Sequence, residues 1–297
     1  MTDVYCYGMI SPSLVHVLRQ DFPFPKPNGY AEIARTLPSI GGEAANSAIA
    51  LARLGLSVKL DGNWLKRAAA DRVTATLAEY GIDVSRLSST DTLGTDEVVI
   101  ADGESRTVFG NYAGFHAGPR QWNEPQEEDI AAASVVCLDP YFRDEARLAA
   151  ELCVRLGKPY VTLDCRHDDY IAQHAAVVVI SHELRDQAYV GRDMREVFGE
   201  YLEACDGLVI FTFGSQELWH GRRGGSLTTY RPYQIEPLDT TGAGDSFRGA
   251  IAYGLLAGWP DERTIEFASA VAACVCLTMP HALNAPDLEE VLAFMER

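Results

Sequence analysis

Positive charge is scarce in this chain. Its 297 residues carry 25 Lys and Arg against 42 Asp and Glu, a formal balance of −17. Sequence-independent nucleic-acid binding needs a cationic face and docking on anionic lipid needs basic clusters, so the balance excludes both. Long apolar runs are missing as well. The longest, from Phe267 to Met279, falls short of the ~20 residues a bilayer core requires. The opening Met1-Thr2-Asp3-Val4 lacks the basic stretch that begins a secretory signal. The seven cysteines, at 6, 137, 153, 165, 205, 274 and 276, form no C-x-x-C pair, and the seven histidines add no zinc-type spacing. Neither a disulfide framework nor a structural metal is expected. Most of these cysteines lie in apolar runs, as buried free thiols do, which points to a reduced, cytoplasmic protein. Three motifs are also absent. There is no G-x-x-x-x-G-K-[ST], no G-x-G-x-x-G after the first strand and no G-x-S-x-G. That argues against a P-loop enzyme, a dinucleotide dehydrogenase and a serine hydrolase in turn.

What is present is an ordinary globular composition, 47% hydrophobic and 23% charged, which rules out a disordered or fibrous chain. Apolar runs at 4–10, 134–138, 160–163, 176–180 and 207–213 read as short buried strands. Helical patterns at 43–54, 67–80 and 145–156 each stop at a glycine, Gly55, Gly81 and Gly157. Further helices are expected at about 245–257, 262–279 and 287–295. Strands alternating with helices predict an α/β fold, a doubly wound and mostly parallel sheet. Two stretches break the rhythm. Segments 96–102 and 106–112 flank Asp102-Gly103 like a hairpin and suggest a small antiparallel sheet, a candidate lid. A second hairpin is expected from 217–220 and 226–229. The chain reads as one α/β domain over 1–297 with lid excursions at about 12–38 and 92–115.

The strongest chemical feature is Asp239-Thr240-Thr241-Gly242-Ala243-Gly244-Asp245, followed by an Ala/Gly-rich helix. Glycines at a helix start let a ligand approach the backbone. The free N–H groups of the first turn then point at it, backed by the positive end of the helix dipole. An aspartate beside such an anion hole suits phosphoryl transfer, where the incoming hydroxyl needs an acceptor for its proton. The plainer alternative is a tight turn with Asp245 complementing the helix dipole.

This segment resembles the C-terminal signature of the ribokinase-like (PfkB) carbohydrate kinases. The segment from Gly41-Gly42 through Asn46 to Leu54-Gly55 is similar to their N-terminal motif, and Thr212-Phe213-Gly214 to their Thr-x-Gly turn. Order and spacing match over nearly the whole chain. The resemblance implies a ribokinase-like fold with a β-sheet lid and ATP-dependent, Mg²⁺-assisted phosphorylation of a sugar hydroxyl. Asp245 would be the base, and Gly242, Ala243 and Gly244 would hold the transferring phosphoryl group. Gly42 and Asn46 would contact the acceptor. Thr241, Thr212 and Gly214 would lie along the nucleotide.

Departures from the family pattern mark other positions. Ser13 stands where members carry an aspartate that grips sugar hydroxyls. The region Ile180-Ser181-His182-Glu183 lacks the usual Asn of an Asn-x-x-Glu element, leaving Glu183 as the metal-associated candidate. Pro280-His281-Ala282 replaces a common Gly-Ala pair. A chain of −17 must still hold an anionic nucleotide, so local arginines are needed, with Arg106, Arg166 and Arg248 as candidates. Asp164, at a strand end, joins Ser13, Arg106 and Arg166 as an acceptor-site candidate. The expected function is a cytoplasmic ATP·Mg²⁺-dependent kinase of a small sugar or polyol, with a homodimer formed through the lid face. The rival readings are a nucleoside kinase on the same scaffold, kept open by Ser13, and a sugar-binding regulator without turnover.

Overall fold

The computed structural model describes residues 2–91, 94–102 and 106–297. Strand β1 (Thr2–Gly8) opens the main sheet. The chain then leaves it for β2 (Ser11–Leu18) and β3 (Ile33–Gly41) and returns through helix α1 (Glu43–Arg53) to β4 (Val58–Gly62). A short pair, β5 (Leu65–Lys66) and β6 (Ser89–Thr90), brackets α2 (Arg67–Glu79). Next come β7 (Glu97–Ala101), β8 (Arg106–Gly110), α3 (Tyr112–Ala117) and α4 (Glu127–Ala132). The alternating core follows as β9 (Ala133–Leu138), α5 (Arg143–Leu156), β10 (Tyr160–Leu163), α6 (Tyr170–Gln173), β11 (Val177–Ile180), α7 (His182–Ala188), α8 (Met194–Ala204) and β12 (Leu208–Phe211). The hairpin β13 (Leu218–Gly221) and β14 (Thr228–Tyr230) precedes α9 (Ala243–Leu256), α10 (Asp261–Cys276) and α11 (Leu288–Met295).

The main sheet has eight strands in the order β14-β13-β12-β11-β10-β9-β1-β4. The six strands from β12 to β4 run parallel, and the β13–β14 hairpin closes one edge antiparallel. Strand periodicity splits its side chains between two cores. In β9, Val135 and Cys137 enter the core under α1, α2, α9, α10 and α11, while Val136 and Leu138 enter the one under α4, α5, α6 and α8. Burial on both faces is why these strands are unbroken apolar runs.

A separate four-stranded sheet has the order β3-β2-β7-β8. The β7–β8 pair is antiparallel, as its sequence suggests, but β2 pairs with β7 in parallel. Gly103 of the expected turn lies outside the described residues. The sequence reading left β2 and β3 as an excursion without strands, because their residues mix polar and apolar types and include Pro12 and Pro38.

Two helices set the position of the site. α1 and α9 pack closely because their facing residues are small. A Cβ on Gly249 would stand 3.1 Å from the Ser47 carbonyl oxygen. Small contact residues bring helix axes toward the short end of the usual range. The N-terminal turns of α1 and α9 therefore lie side by side. α9 begins at Ala243, two residues earlier than the sequence pattern suggests, which makes Asp245 the third residue of the helix.

Candidate active site

The start of α9 is glycine-lined and open at Gly244. Gly242 caps it with φ 71°, a left-handed conformation that glycine adopts without a Cβ penalty. A side chain there would also crowd Asn46, whose Nδ2 stands 3.1 Å from an ideal Cβ. Gly244 is exposed, and a Cβ on it would meet nothing within 4 Å. The first bond of the new helix runs from Ser246 N–H to the Gly242 carbonyl, at 2.9 Å. The amides of Gly244 and Asp245 precede it and have no acceptor within the helix. Upstream, Asp239 Oδ1 accepts from Thr241 N–H at 2.9 Å and shapes the turn. Asp239 Oδ2 and Thr241 Oγ1 are buried without partners.

Asp245 is half-buried, and its Oδ2 accepts a hydrogen bond from Asn46 Nδ2 at 2.8 Å. Its own backbone carbonyl accepts from Ser47 Oγ at 2.8 Å. The two motifs, about 200 residues apart in sequence, thus meet through α1 and α9. Behind them lies Arg248, fully buried. Its guanidinium donates to Ser47 Oγ from Nε at 3.1 Å and from Nη2 at 2.8 Å, and to the Glu43 carbonyl at 2.7 Å. Its Nη1 pairs with Asp139, also fully buried at the end of β9. Asp139 Oδ2 accepts from Met9 N–H at 2.7 Å, so the same carboxylate holds the chain where it leaves β1. Burial lifts the Asp139 carboxyl, and Arg248 pulls it back toward the charged form. The Glu43 carboxyl is held well above the usual carboxylate range by burial, with Asp139 and Asp245 adding to it. Burial also raises the Tyr141 phenol, and Glu43, Asp164 and Asp139 push it further in that direction.

The small sheet meets α1 at its N-terminus, where β3 runs into the helix. Ser13 faces Glu97 across β2 and β7, and its Oγ donates to Glu97 Oε1 at 2.8 Å. Tyr112 of α3 donates to Glu97 Oε2 at 2.6 Å. Gly42, with φ 96°, turns the chain from this sheet into α1, and a Cβ there would strike the Met9 carbonyl.

The description of the pfkB family of carbohydrate kinases matches residues 1–287. The chain belongs to that family. Among curated relatives, 5-dehydro-2-deoxygluconokinase of Clostridium perfringens is 23% identical over 284 residues, 87% of this chain and 84% of that protein. 1-Phosphofructokinase of Escherichia coli K12 is 25% identical over 249 residues, 78% of each chain. The structure of Arabidopsis thaliana ribokinase complexed with ribose and ATP superimposes with a TM-score of 0.79 over 100% of both chains at 18% identity, which shows a shared fold.

Within this pfkB-family fold, the remaining candidates divide. Thr212 directly follows β12, where its carbonyl accepts from Arg185 at 3.1 Å, and Gly214 is exposed in the turn beyond it, with φ 64°. Arg106 on β8 is half-buried; burial raises the Cys276 thiol, Asp239 adds to that and Arg106 opposes it. Asp164 sits at the end of β10 with φ 44°. Both its carboxylate oxygens are engaged by Ser181, from N–H at 2.7 Å and Oγ at 2.8 Å. Burial, then Glu183 and Asp245, raise this carboxyl, while the two Ser181 bonds lower it. Glu183 is exposed in the first turn of α7. Arg166 is exposed, paired with Asp168 at 3.1 Å and lying over the Tyr189 ring. Its neighbours belong to the α6–α8 side rather than to the Asp245 turn. Arg248 is not a free cation for the nucleotide, since burial and Asp139 commit it to the interior. Sequence reasoning missed Glu43, Asp139, Glu97 and Tyr112. The Gly-Gly before Glu43 was the available signal for the first, whereas Asp139, Glu97 and Tyr112 carry no motif.

Proposed function

We propose that this carbohydrate kinase transfers the γ-phosphoryl group of ATP to a hydroxyl of a small sugar or polyol, with Asp245 as the base. The carrying observation is the Asn46–Asp245 hydrogen bond at the open, glycine-lined start of α9. Asn46 occupies Oδ2 of Asp245, which leaves Oδ1 for the acceptor hydroxyl. The amides of Gly242 and Gly244, with that of Ala243 in exchange for its 3.4 Å bond to the Thr240 carbonyl, would receive the γ-phosphoryl oxygens, where the helix dipole favours negative charge. The acceptor oxygen forms the new P–O bond as the bond to the β-phosphate oxygen breaks. In a loose transition state the hydroxyl proton passes late to Asp245, and ADP leaves. Gly42 and Asn46 would border the acceptor, and Thr241, Thr212 and Gly214 the nucleotide.

Mg²⁺ would neutralise the phosphate oxygens as the nucleotide binds. No group of three His, Cys, Asp or Glu suited to a cation occurs among the described residues, and Glu183 would be the protein-side candidate for an ion carried by the phosphates. Closure of the small sheet over the acceptor would exclude water from the transferring phosphoryl group. The seven free cysteines suit a cytoplasmic setting. On the small sheet, Phe109, Leu14 and Pro38 line up in register on the outer face and are exposed, which supports pairing with a second copy. Light scattering then returns about twice the 32.5 kDa chain mass.

The test is Asp245→Asn, assayed for ADP formation against a panel of sugars. A lost general base costs on the order of 10²–10⁴ in kcat, with ATP affinity retained. Unaltered kcat in that variant removes Asp245 from the mechanism.

A further inference from the structure

The inner face of the small sheet is polar where it turns toward α1. Ser39, Ser13 and Glu97 lie across β3, β2 and β7 in register, Ser11 sits opposite Gly41, and all four polar side chains are buried. Glu97 is 8% exposed. Its two oxygens take one hydrogen bond each, from Ser13 and Tyr112. A carboxylate offers about four acceptor positions, so roughly half its capacity is unused. Gly41 makes room for it, since a Cβ there would stand 2.6 Å from Glu97 Oε1.

Glu97 forms no ion pair among the described residues. Arg72 spends a guanidinium nitrogen on the Ser39 carbonyl, at 3.0 Å, and Arg248 is held by Asp139. Burying a carboxylate without a counter-ion is costly, and a small sheet gains no packing from one. A second observation points to what compensates it. Ser11 Oγ lies within reach of the Tyr112 hydroxyl, and Asn46 Oδ1 on α1 is buried with no hydrogen-bond partner. A buried polar atom left without a protein partner calls for one from outside the chain, an ordered water, an ion or a bound molecule. The first-strand position where the family resemblance places a carboxylate holds Ser13, and Ser13 donates its hydroxyl to Glu97.

We propose that Glu97, propped by Ser13 and Tyr112, is the acceptor-recognising carboxylate of this kinase. It selects a neutral polyhydroxyl acceptor and rejects one bearing phosphate or carboxylate at the lid end. This deepens the proposed function and rests on it. Glu97 accepts from acceptor hydroxyls through charge-assisted bonds, which are stronger than neutral ones. An anionic substituent would instead meet Glu97, with Asp245 adding like charge from the helix side. The anion the site receives is the phosphoryl group, at the Gly242–Gly244 amides.

The experiment measures ADP formation by wild type, Glu97→Gln and Tyr112→Phe at saturating ATP·Mg²⁺. The acceptors are D-ribose, D-fructose and D-glucose against fructose 1-phosphate, fructose 6-phosphate and gluconate. The highest wild-type kcat/KM is expected for a neutral sugar. Glu97→Gln is expected to raise the KM of that sugar about tenfold, the loss of one charge-assisted bond. Its kcat should fall less, and its KM for ATP should stay put. Tyr112→Phe should raise the acceptor KM in the same sense, and it carries the readout if Glu97→Gln melts early. A preferred anionic acceptor, or an acceptor KM that neither variant moves, overturns the inference and leaves the kinase reading standing. ADP formation with no acceptor of either kind removes both.

Discussion

At the residue scale, two glycines two positions apart carry different burdens. Gly242 needs its left-handed backbone and the space against Asn46, whereas Gly244 faces open space. Gly242→Ala should therefore lower both stability and activity, because strain at the cap reaches Asn46 and through it Asp245. Gly244→Ala should melt at or slightly above the wild-type temperature, since alanine favours a helix. Its methyl group would still stand in the phosphate cradle and depress kcat. Parallel melts and ADP assays separate the cases, and equal effects in both variants would contradict the geometry. The helix start at these glycines was legible from residues alone, because a glycine turn before a helix is a local device. Glu97 was not. In a strand of mixed residues it reads as a solvated charge until the sheet turns it inward.

At the element scale, the α1–α9 contact is held from behind by one buried cation. Arg248 ties Ser47, the Glu43 carbonyl and Asp139, linking α9, α1 and the end of β9. Arg248→Ala would leave Asp139 buried without its partner. Breaking such a pair costs about 3–5 kcal/mol, measurable by urea denaturation. Removing Arg155 from its exposed pair with Glu127 should cost under ~1 kcal/mol. A loss as small as that for Arg248→Ala would show that the pair does not hold the helices together. The sequence placed Arg248 three residues beyond Asp245 and thus near its helix face. Its direction came from packing. α9 buries the Arg248 side against α1 and β9 and leaves Asp245 at the opening.

At the scale of the whole molecule, acidic charge and burial act together on stability. Burial is the first cause of the raised carboxyls of Glu43, Asp61, Asp139 and Asp164. A carboxyl whose folded pKa lies above its unfolded value destabilises the fold above the folded pKa. That deficit shrinks as pH falls toward the ordinary carboxylate range, where both states are protonated. His116 and His220, lowered by burial, act oppositely below their ordinary pKa near 6.5. Comparing wild type with Glu43→Gln cancels the histidines. The variant should melt above wild type at pH 8, with the gap closing as pH approaches about 4. A gap that widens toward acid pH would reverse the assigned direction.

Local chemistry by itself determined a good deal: alternating strands and Gly-stopped helices, a glycine-lined helix start before Asp245, and a net charge of −17. Each of these depends on neighbours in sequence or on summed composition. Contacts across the fold decided the rest. Close packing of α1 on α9 brought Asn46 to Asp245, burial committed Arg248 to Asp139, and parallel pairing of β2 with β7 set Ser13 against Glu97. These depend on which faces meet, and pairing register and helix contact are properties of the assembled layers.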